Sequence, residues 1–464
     1  MIYLHPNFVS LYSCSIPSIS NKMATSRPKK PDIPLTRREI ENAHLNNSYR
    51  REFPTWAVVT SPWARHPLGF IKSMEYILEH KKEFEALDKE IRDHWESIKQ
   101  PEWEYRCKVA FKDKLETILI NFLKRPLKLV ITGSTVSGVG TANSDADICM
   151  CAPNIIHPLR IDKGEDGSVL MLTKDERRRR IGILLRRCKK ALDDSNLGLK
   201  ITFVDAMIPL LKMVGEIKDE ATGNPFNMEV DLSVSNEVFI SGLHNSHLIR
   251  GYTRVDPRFA PLVTLVKKWS WMAGVRDPQK RRFNSYAVTI LVIHFLQCAL
   301  PRPILPNLQG CYPWFFAMDE NNHPDRVDLE ADLPSPLEEL LDLPPCRLNV
   351  AELFYIFVSY YSTIDLYHAV IRIKCGRISV RKFPDDNYDI DDENYRMTPR
   401  SAKNHEVYIE DPIDEHNPGR TVDDWEMVRN CFCDALHVFN RVDDEEMSKI
   451  FPFPDLEDLT RTAD

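Results

Sequence analysis

No uninterrupted apolar stretch in this 464-residue chain approaches the roughly 18 to 20 residues that a helix needs to cross a bilayer, so no membrane partner is expected. A secretory leader is missing as well. The opening MIYLHPNFVSLYSCSIPSIS has no basic n-region and is broken by His5, Pro6 and Asn7, which points to the cytoplasm, with the nucleus as the alternative. The 11 cysteines form no C-x-x-C pair. Cys149/Cys151 and Cys431/Cys433 are both C-x-C, the first in a buried-strand pattern, so reduced structural thiols are expected in place of zinc ligands or disulfides. The chain also lacks a repeat of fixed period, a low-complexity tract, a zinc knuckle and a KH-type loop, which excludes solenoids and the common single-strand RNA modules.

What is present is ordinary globular material. Hydrophobic residues make up 43% and charged residues 28%, and the length exceeds what one core serves, so two domains are expected, with a third as an alternative. The net charge of −7 is unevenly spread. Residues 101–210 hold 19 basic against 14 acidic side chains, whereas residues 385–464 hold 8 against 23. The body of the chain is therefore more basic than the total implies, which permits a polyanionic partner.

Residues 1–50 read as a disordered basic lead-in. Residues 51–103 carry helical spacing, with an amphipathic helix over 67–99, and a second follows at 105–124. After Pro126 the period changes to that of strands: LKLVIT, SDADICMCA, one run within KITFVDAMIPLLKMV, and NMEVDLSVS, with the basic helix TKDERRRRIGILLRRCKKAL between the second and third. Residues 104–240 are thus an α+β unit with a mixed sheet. Beyond 245 the strand pattern fades and three helices of 15 or more residues are separated by proline-rich joints, so residues 241–440 are expected to be mostly helical. DDNYDIDDENY at 385–395 reads as an acidic loop, and residues 441–464 as an acidic tail.

The most informative stretch is KLVITGSTVSGVGTANSDADICM, residues 128–150. Asp145 and Asp147 are two residues apart, so a strand turns both to one face, where two carboxylates repel unless a cation sits between them. Oxygen ligands alone suit Mg²⁺ or Mn²⁺. Gly133-Ser134, after the preceding strand, puts backbone N–H groups and a hydroxyl at a helix N-terminus, a place for phosphate, with no Cβ at Gly133 to hold it off. The bland alternatives are a solvated strand end and a glycine turn with a serine cap.

This pattern resembles the signature of the DNA-polymerase-β-like nucleotidyltransferases, G-[GS] followed by [DE]-h-[DE]-h, and Asp231 in FNMEVDLSVSNEVFI stands where that family has its third carboxylate. HNSHLIRGYTRVDPRFAPLVTLVKKWS, FNSYAVTILVIHFLQ and PILPNLQ resemble the central domain of the cytoplasmic poly(A) and poly(U) polymerases. RLNVAELFYIFVSYYSTIDL is similar to their poly(A)-polymerase-associated segment, and IEDPIDEHNPGRTV to their nucleotide recognition motif. The resemblance covers about residues 65 to 440 and implies a nucleotide cleft between catalytic and central domains. It implies attack of an RNA 3′-hydroxyl on the α-phosphate of a nucleoside triphosphate, with two metal ions on Asp145, Asp147 and Asp231.

By position, the resemblance assigns Gly133 and Ser134 to the triphosphate, Lys267 to its outer phosphates, Ser285 to a further hydrogen bond, Tyr286 to stacking on the base, and Asn245 to the ribose 2′-hydroxyl and base edge. Some relatives carry a second basic residue four positions after Lys267; here that place is Trp271. Lys268 lies about 100° away on the helix, leaving Lys212 as a substitute or a weaker grip on triphosphate. His416, before Asn417, matches the histidine of uridine-adding relatives, so UTP is expected ahead of ATP, although the loop is one residue shorter, as in adenylating relatives. The basic run at Arg177 to Arg180, with Arg186, Arg187, Lys189 and Lys190, reads as an RNA track or as a merely solvated face. RNA choice is left to an RNA-binding protein partner. A poly(A) polymerase, a catalytically dead scaffold, and a nucleotidyltransferase acting on proteins or antibiotics are the competing readings.

Overall fold

The computed structural model describes residues 68–151, 161–163, 169–171, 173–206, 208–218, 223, 225–234, 241–300, 303–316, 327, 331, 333–334, 346–382, 395–397 and 405–440. The expected basic lead-in, the acidic loop after 385 and the C-terminal tail lie outside these residues, the loop's Tyr395 apart. Where one helix was expected over 67–99 there are two, α1 (Leu68–Glu79) and α2 (Lys81–Ile98). They part at His80, whose backbone departs from helical geometry (φ −112°, ψ 34°). α3 (Glu102–Leu123) follows and lays Cys107, Phe111, Leu115 and Leu119, each four residues from the next, on one buried face.

That face covers a five-stranded mixed sheet. Its strands are β1 (Lys128–Thr132), β2 (Ala146–Cys151), β5 (Lys200–Val204), β6 (Leu210–Lys218) and β7 (Pro225–Val234), in spatial order β1-β2-β7-β6-β5. β2 and β7 run parallel; the other neighbours are antiparallel. The run expected to give one strand, KITFVDAMIPLLKMV, supplies two, β5 and β6, because its centre turns and the halves pair in register. A small hairpin, β3 (Ile161–Lys163) with β4 (Val169–Met171), stands apart. After the one-turn helix α4 (Ser134–Ser137), the basic helix α5 (Lys174–Asp194) starts at Thr173, whose hydroxyl accepts the Glu176 amide. Ile181, Leu185, Cys188 and Leu192 of α5 join the sheet core. Along β7, Val230, Leu232 and Val234 are buried and alternate with Glu229, Asp231 and Ser233 on the other face.

The helical half contains α6 (Ser241–Val255), α7 (Phe259–Met272), α8 (Ser285–His294), α9 (Val350–Thr363) and α10 (Trp425–Phe439). α9 is buried from Val350 to Ser362 and starts at a capping box formed by Asn349 and Glu352. Its Phe354, Phe357 and Tyr361 meet Trp269 of α7 and Phe432 of α10 edge-on or tilted, an aromatic core that does not slide easily. α1 and α2 pack on α9: Ser73 donates to Ser359 at 3.1 Å, and the Val350 amide donates to Asp88 at 2.7 Å. This half also holds a second sheet that alternation in the sequence did not signal, β8 (Ala369–Arg372), β9 (Arg377–Lys382), β10 (Tyr395–Met397) and β11 (Tyr408–Glu410), in order β10-β9-β8-β11. Its strands are short, and β8 and β11 have few or no exposed positions, so they lack the polar alternation of a half-buried strand.

Candidate active site

Three groups of side chains are linked through β1, the one-turn helix α4 and α6, which pack against one another. The first is acidic. In β2 the chain runs buried, exposed, buried from Ala146 to Ile148, so Asp147 is turned outward. Parallel pairing sets Asp147 directly beside Asp231, and adjacent registered residues point to the same face. Asp145 stands just before β2 and Glu229 two residues before Asp231. Lys212, opposite Asp231 on β6, bonds to Glu229 at 3.0 Å. Such crowding has the expected consequence: Asp147 is pushed up to about 6, by loss of hydration first and then by Asp231 and Asp145. Asp145 and Asp231 are raised as well, chiefly by burial, with Glu229 adding to the first and Lys212 opposing the rise in the second.

Gly133 fits this group closely. It has φ of +74°, and a Cβ there would collide with Asp147 Oδ2. Its amide, however, donates to Ser246 Oγ at 2.8 Å, and α4 is a single turn. The expected helix-terminus cradle is thus narrower than read from the sequence: Ser134 lines the cavity, and the Gly133 amide is taken by Ser246 of α6.

The second group is cationic. Ser134, Lys267, Lys268, Arg276, Thr264 and His94 line a cavity of about 240 Å³. Lys267 is pushed down to about 8 by burial and then by Arg276. Arg276 donates from Nε to the Lys267 carbonyl at 3.2 Å and from Nη1 to Ser285 Oγ at 2.9 Å, which ties two predicted residues together through one that sequence reasoning passed over. Lys212, the expected substitute for the missing basic residue, is held at the carboxylates by Glu229. Trp271 is exposed, with the Lys268 ammonium 5.7 Å from its ring centre.

The third group surrounds buried Asp411. Its Oδ2 accepts from Tyr286 at 2.8 Å and from Asn245 at 3.1 Å; its Oδ1 accepts the amides of Ile413 and Asp414. His416 Nδ1 lies 3.7 Å from Asp411 and is hydrogen-bonded to Asp414, which raises the histidine. Asn417 holds the loop: its side-chain oxygen accepts from the Ile409 and Gly419 amides at 3.0 and 2.8 Å, and its amide donates to the Val407 carbonyl. Asn245 and Tyr286 are thereby joined to the loop that carries His416, while their neighbours Ser246 and Ser285 reach Gly133 and Arg276. Two dipeptides, one on α6 and one on α8, connect all three groups.

Among the described residues, the trio of acidic and histidine side chains with ligand atoms all within 4.8 Å is Asp411, Asp414 and His416, not the three strand aspartates. The Asp411 trio does not suit a metal, because the Asp411 oxygens are already filled by four donors. Asp147 and Asp231, which share a face, and Asp145 just before β2 do suit one: they offer only oxygen and carry repulsion that a divalent cation removes.

A family model described as the central palm domain of mitochondrial-like poly(A) RNA polymerase matches residues 87–254. The chain is 29% identical over 326 residues to Poly(A) RNA polymerase gld-2 homolog B of Drosophila melanogaster, covering 68% of this chain and 21% of that one. It is 25% identical over 374 residues to Poly(A) RNA polymerase GLD2 of Homo sapiens, covering 80% and 67%. The structure of a GLD-2/RNP-8 complex matches with a TM-score of 0.56 at 23% identity, over 78% of this chain and 97% of that chain. A structure of the Cid1 poly(U) polymerase matches at 0.52 and 21%, over 79% and 98%. The chain is thus similar to the terminal nucleotidyltransferases, in sequence to the poly(A) RNA polymerases and in fold to their solved structures. Its α+β architecture is that of the family's solved members, and it spans about a fifth of the Drosophila relative's length. No helix among the described residues is long and apolar enough to cross a membrane.

Proposed function

We propose that this chain adds nucleotides to RNA 3′ ends in the cytoplasm, with ATP as the donor. The observation that carries the reaction class is the pairing of Asp147 with Asp231 beside Gly133, next to a cavity shared by Ser134 and Lys267. Asp145, Asp147 and Asp231 would hold Mg²⁺ or Mn²⁺, which when bound supplies Lewis-acid activation of the 3′-hydroxyl and neutralises phosphate charge. Lys267 then faces the outer phosphates, and its partly dehydrated ammonium binds them more strongly than one in bulk water. Tyr286 offers its ring to the base while Asp411 fixes the hydroxyl, so little rotamer freedom is lost on stacking. Asn245 is oriented by the same carboxylate.

ATP is placed ahead of UTP because the curated relatives bear the name poly(A) RNA polymerase. The uridylyl reading keeps one specific observation. Asp414 occupies His416 Nδ1 and favours the imidazolium, which leaves Nε2–H to donate to uracil O4. Choice of RNA is assigned to a bound RNA-binding protein, a reading supported by the neighbour solved as a GLD-2/RNP-8 complex.

The test is extension of a short RNA by the purified protein with Mg²⁺ or Mn²⁺ and each of the four nucleotides separately. Extension with ATP that Asp147→Ala reduces by at least about 1,000-fold is the expected result. Strong UTP use that His416→Ala removes would transfer the assignment to uridylyl transfer, and no extension with any nucleotide would refute the reaction class.

A further inference from the structure

The cationic cavity contains more positive charge than the residues matched to the family's pattern account for. Lys267 and Arg276 are close enough for the guanidinium to depress the lysine, and Lys267 forms no ion pair with a carboxylate among the described residues. The acidic neighbour of Arg276 is Asp277, whose carboxylate accepts the Gln279 and Lys280 amides and pairs with the Lys280 ammonium at 3.1 Å. Two adjacent, partly buried cations without an ion-pair partner among the described residues cost folding free energy, and an anion between them removes that cost. A fold keeps such an arrangement where an anionic ligand is to bind.

The position of Arg276 is specific. Nε is anchored to the Lys267 carbonyl and Nη1 to Ser285 Oγ, while Nη2 makes no hydrogen bond among the described residues, so the guanidinium is held in orientation with donor capacity to spare. Arg276 lines the same cavity as Ser134, itself adjacent to Gly133 and hence to Asp147. The other candidates for a second phosphate cation are less well placed. Lys212 is committed to Glu229, Trp271 occupies the position one helical turn beyond Lys267, and Lys268, which also lines the cavity and so does not point away from it as its helical offset implied, has its ammonium over the Trp271 ring.

We propose that Arg276 is a second phosphate-binding residue, gripping with Lys267 and Ser285 the β- and γ-phosphates of the incoming nucleotide and supplying the charge that Trp271 does not. The proposal rests on the nucleotidyl-transfer reading and names the group that holds the leaving pyrophosphate. A planar fork of donors suits two phosphate oxygens at once, which a lysine ammonium at position 271 would meet only as a point charge.

The experiment measures binding of a non-hydrolysable ATP analogue and of AMP by titration calorimetry, and the ATP KM in RNA extension. Arg276→Met should weaken the triphosphate about tenfold, from the loss of a charge-assisted contact, and leave AMP unchanged. Arg276→Lys should recover part of the loss. Arg276→Met combined with Trp271→Lys should recover more than Arg276→Met alone, which a purely structural role would not allow. Equal losses for AMP and triphosphate, or failure of both lysine variants to recover anything, would assign Arg276 to the scaffold and overturn the proposal. An unaltered ATP KM in Arg276→Met, with RNA extension intact, would overturn it while leaving the reaction class standing. A wild-type protein that neither binds triphosphate nor extends RNA would overturn both.

Discussion

Gly133 shows how little tolerance the site has at the level of one residue. Two independent requirements meet there, a positive φ and space for the Asp147 carboxylate. Gly133→Ala would incur both backbone strain and a clash, and the clash falls on a group whose position decides the metal site. Extension should fall by about 100-fold or more, while circular dichroism remains that of the wild type. Asp411 teaches a related lesson. It carries no expected chemistry, yet one buried carboxylate orients Asn245, Tyr286 and the recognition loop.

Elements, not single residues, decide where the acidic group sits. The turn that delivers Asp145 to β2 is held from beneath by α3. Lys108 and Glu104, each with a side chain only 1% exposed, form an ion pair at 2.7 Å. Lys108 also donates to the Ser144 carbonyl, and Glu104 accepts the Asn143 amide. Removing one partner leaves a buried charge uncompensated, so Lys108→Met should destabilise the protein by about 3–5 kcal/mol in urea unfolding. Lys108 also lowers Asp145 and Asp147, so the same variant should shift the acid limb of the activity profile upward.

For the whole molecule, the pH profile joins the two halves. Asp147, raised to about 6, must be ionised to hold a cation, and Lys267, lowered to about 8, must be protonated to hold phosphate. The sign follows for each: metal affinity falls as pH drops through about 6, and nucleotide affinity falls as pH rises through about 8. At fixed, subsaturating metal, kcat/KM should therefore be bell-shaped with limbs near those values. An alkaline limb that stays flat to pH 10 would remove Lys267 from phosphate binding. The stability sign for Asp147 runs the other way from a salt-bridged aspartate. Because its folded pKa lies above the unfolded value, it destabilises the metal-free protein fully above about 6 and progressively less on acidification.

Asp145, Asp147 and Gly133 stand out in the sequence because a strand's two-residue period and a glycine's freedom are local properties written into consecutive residues, whereas Asp231 stood out only through the family resemblance. The helical cores of α7, α8 and α9 were legible for the same reason. Arg276 was not, since it lies in a loop with no period and matters only because that loop folds back on Lys267 and Ser285. Asp411 stood in a quoted motif, yet its hydrogen bonds to α6 and α8 span 166 and 125 residues of chain. The second sheet escaped because buried strands lose alternation. Sequence alone thus determined which residues could bear charge and which faces they share. Tertiary structure decided which charges oppose one another and which amide or hydroxyl is already taken, because electrostatics and hydrogen bonding depend on distance in space, which separation along the chain does not specify.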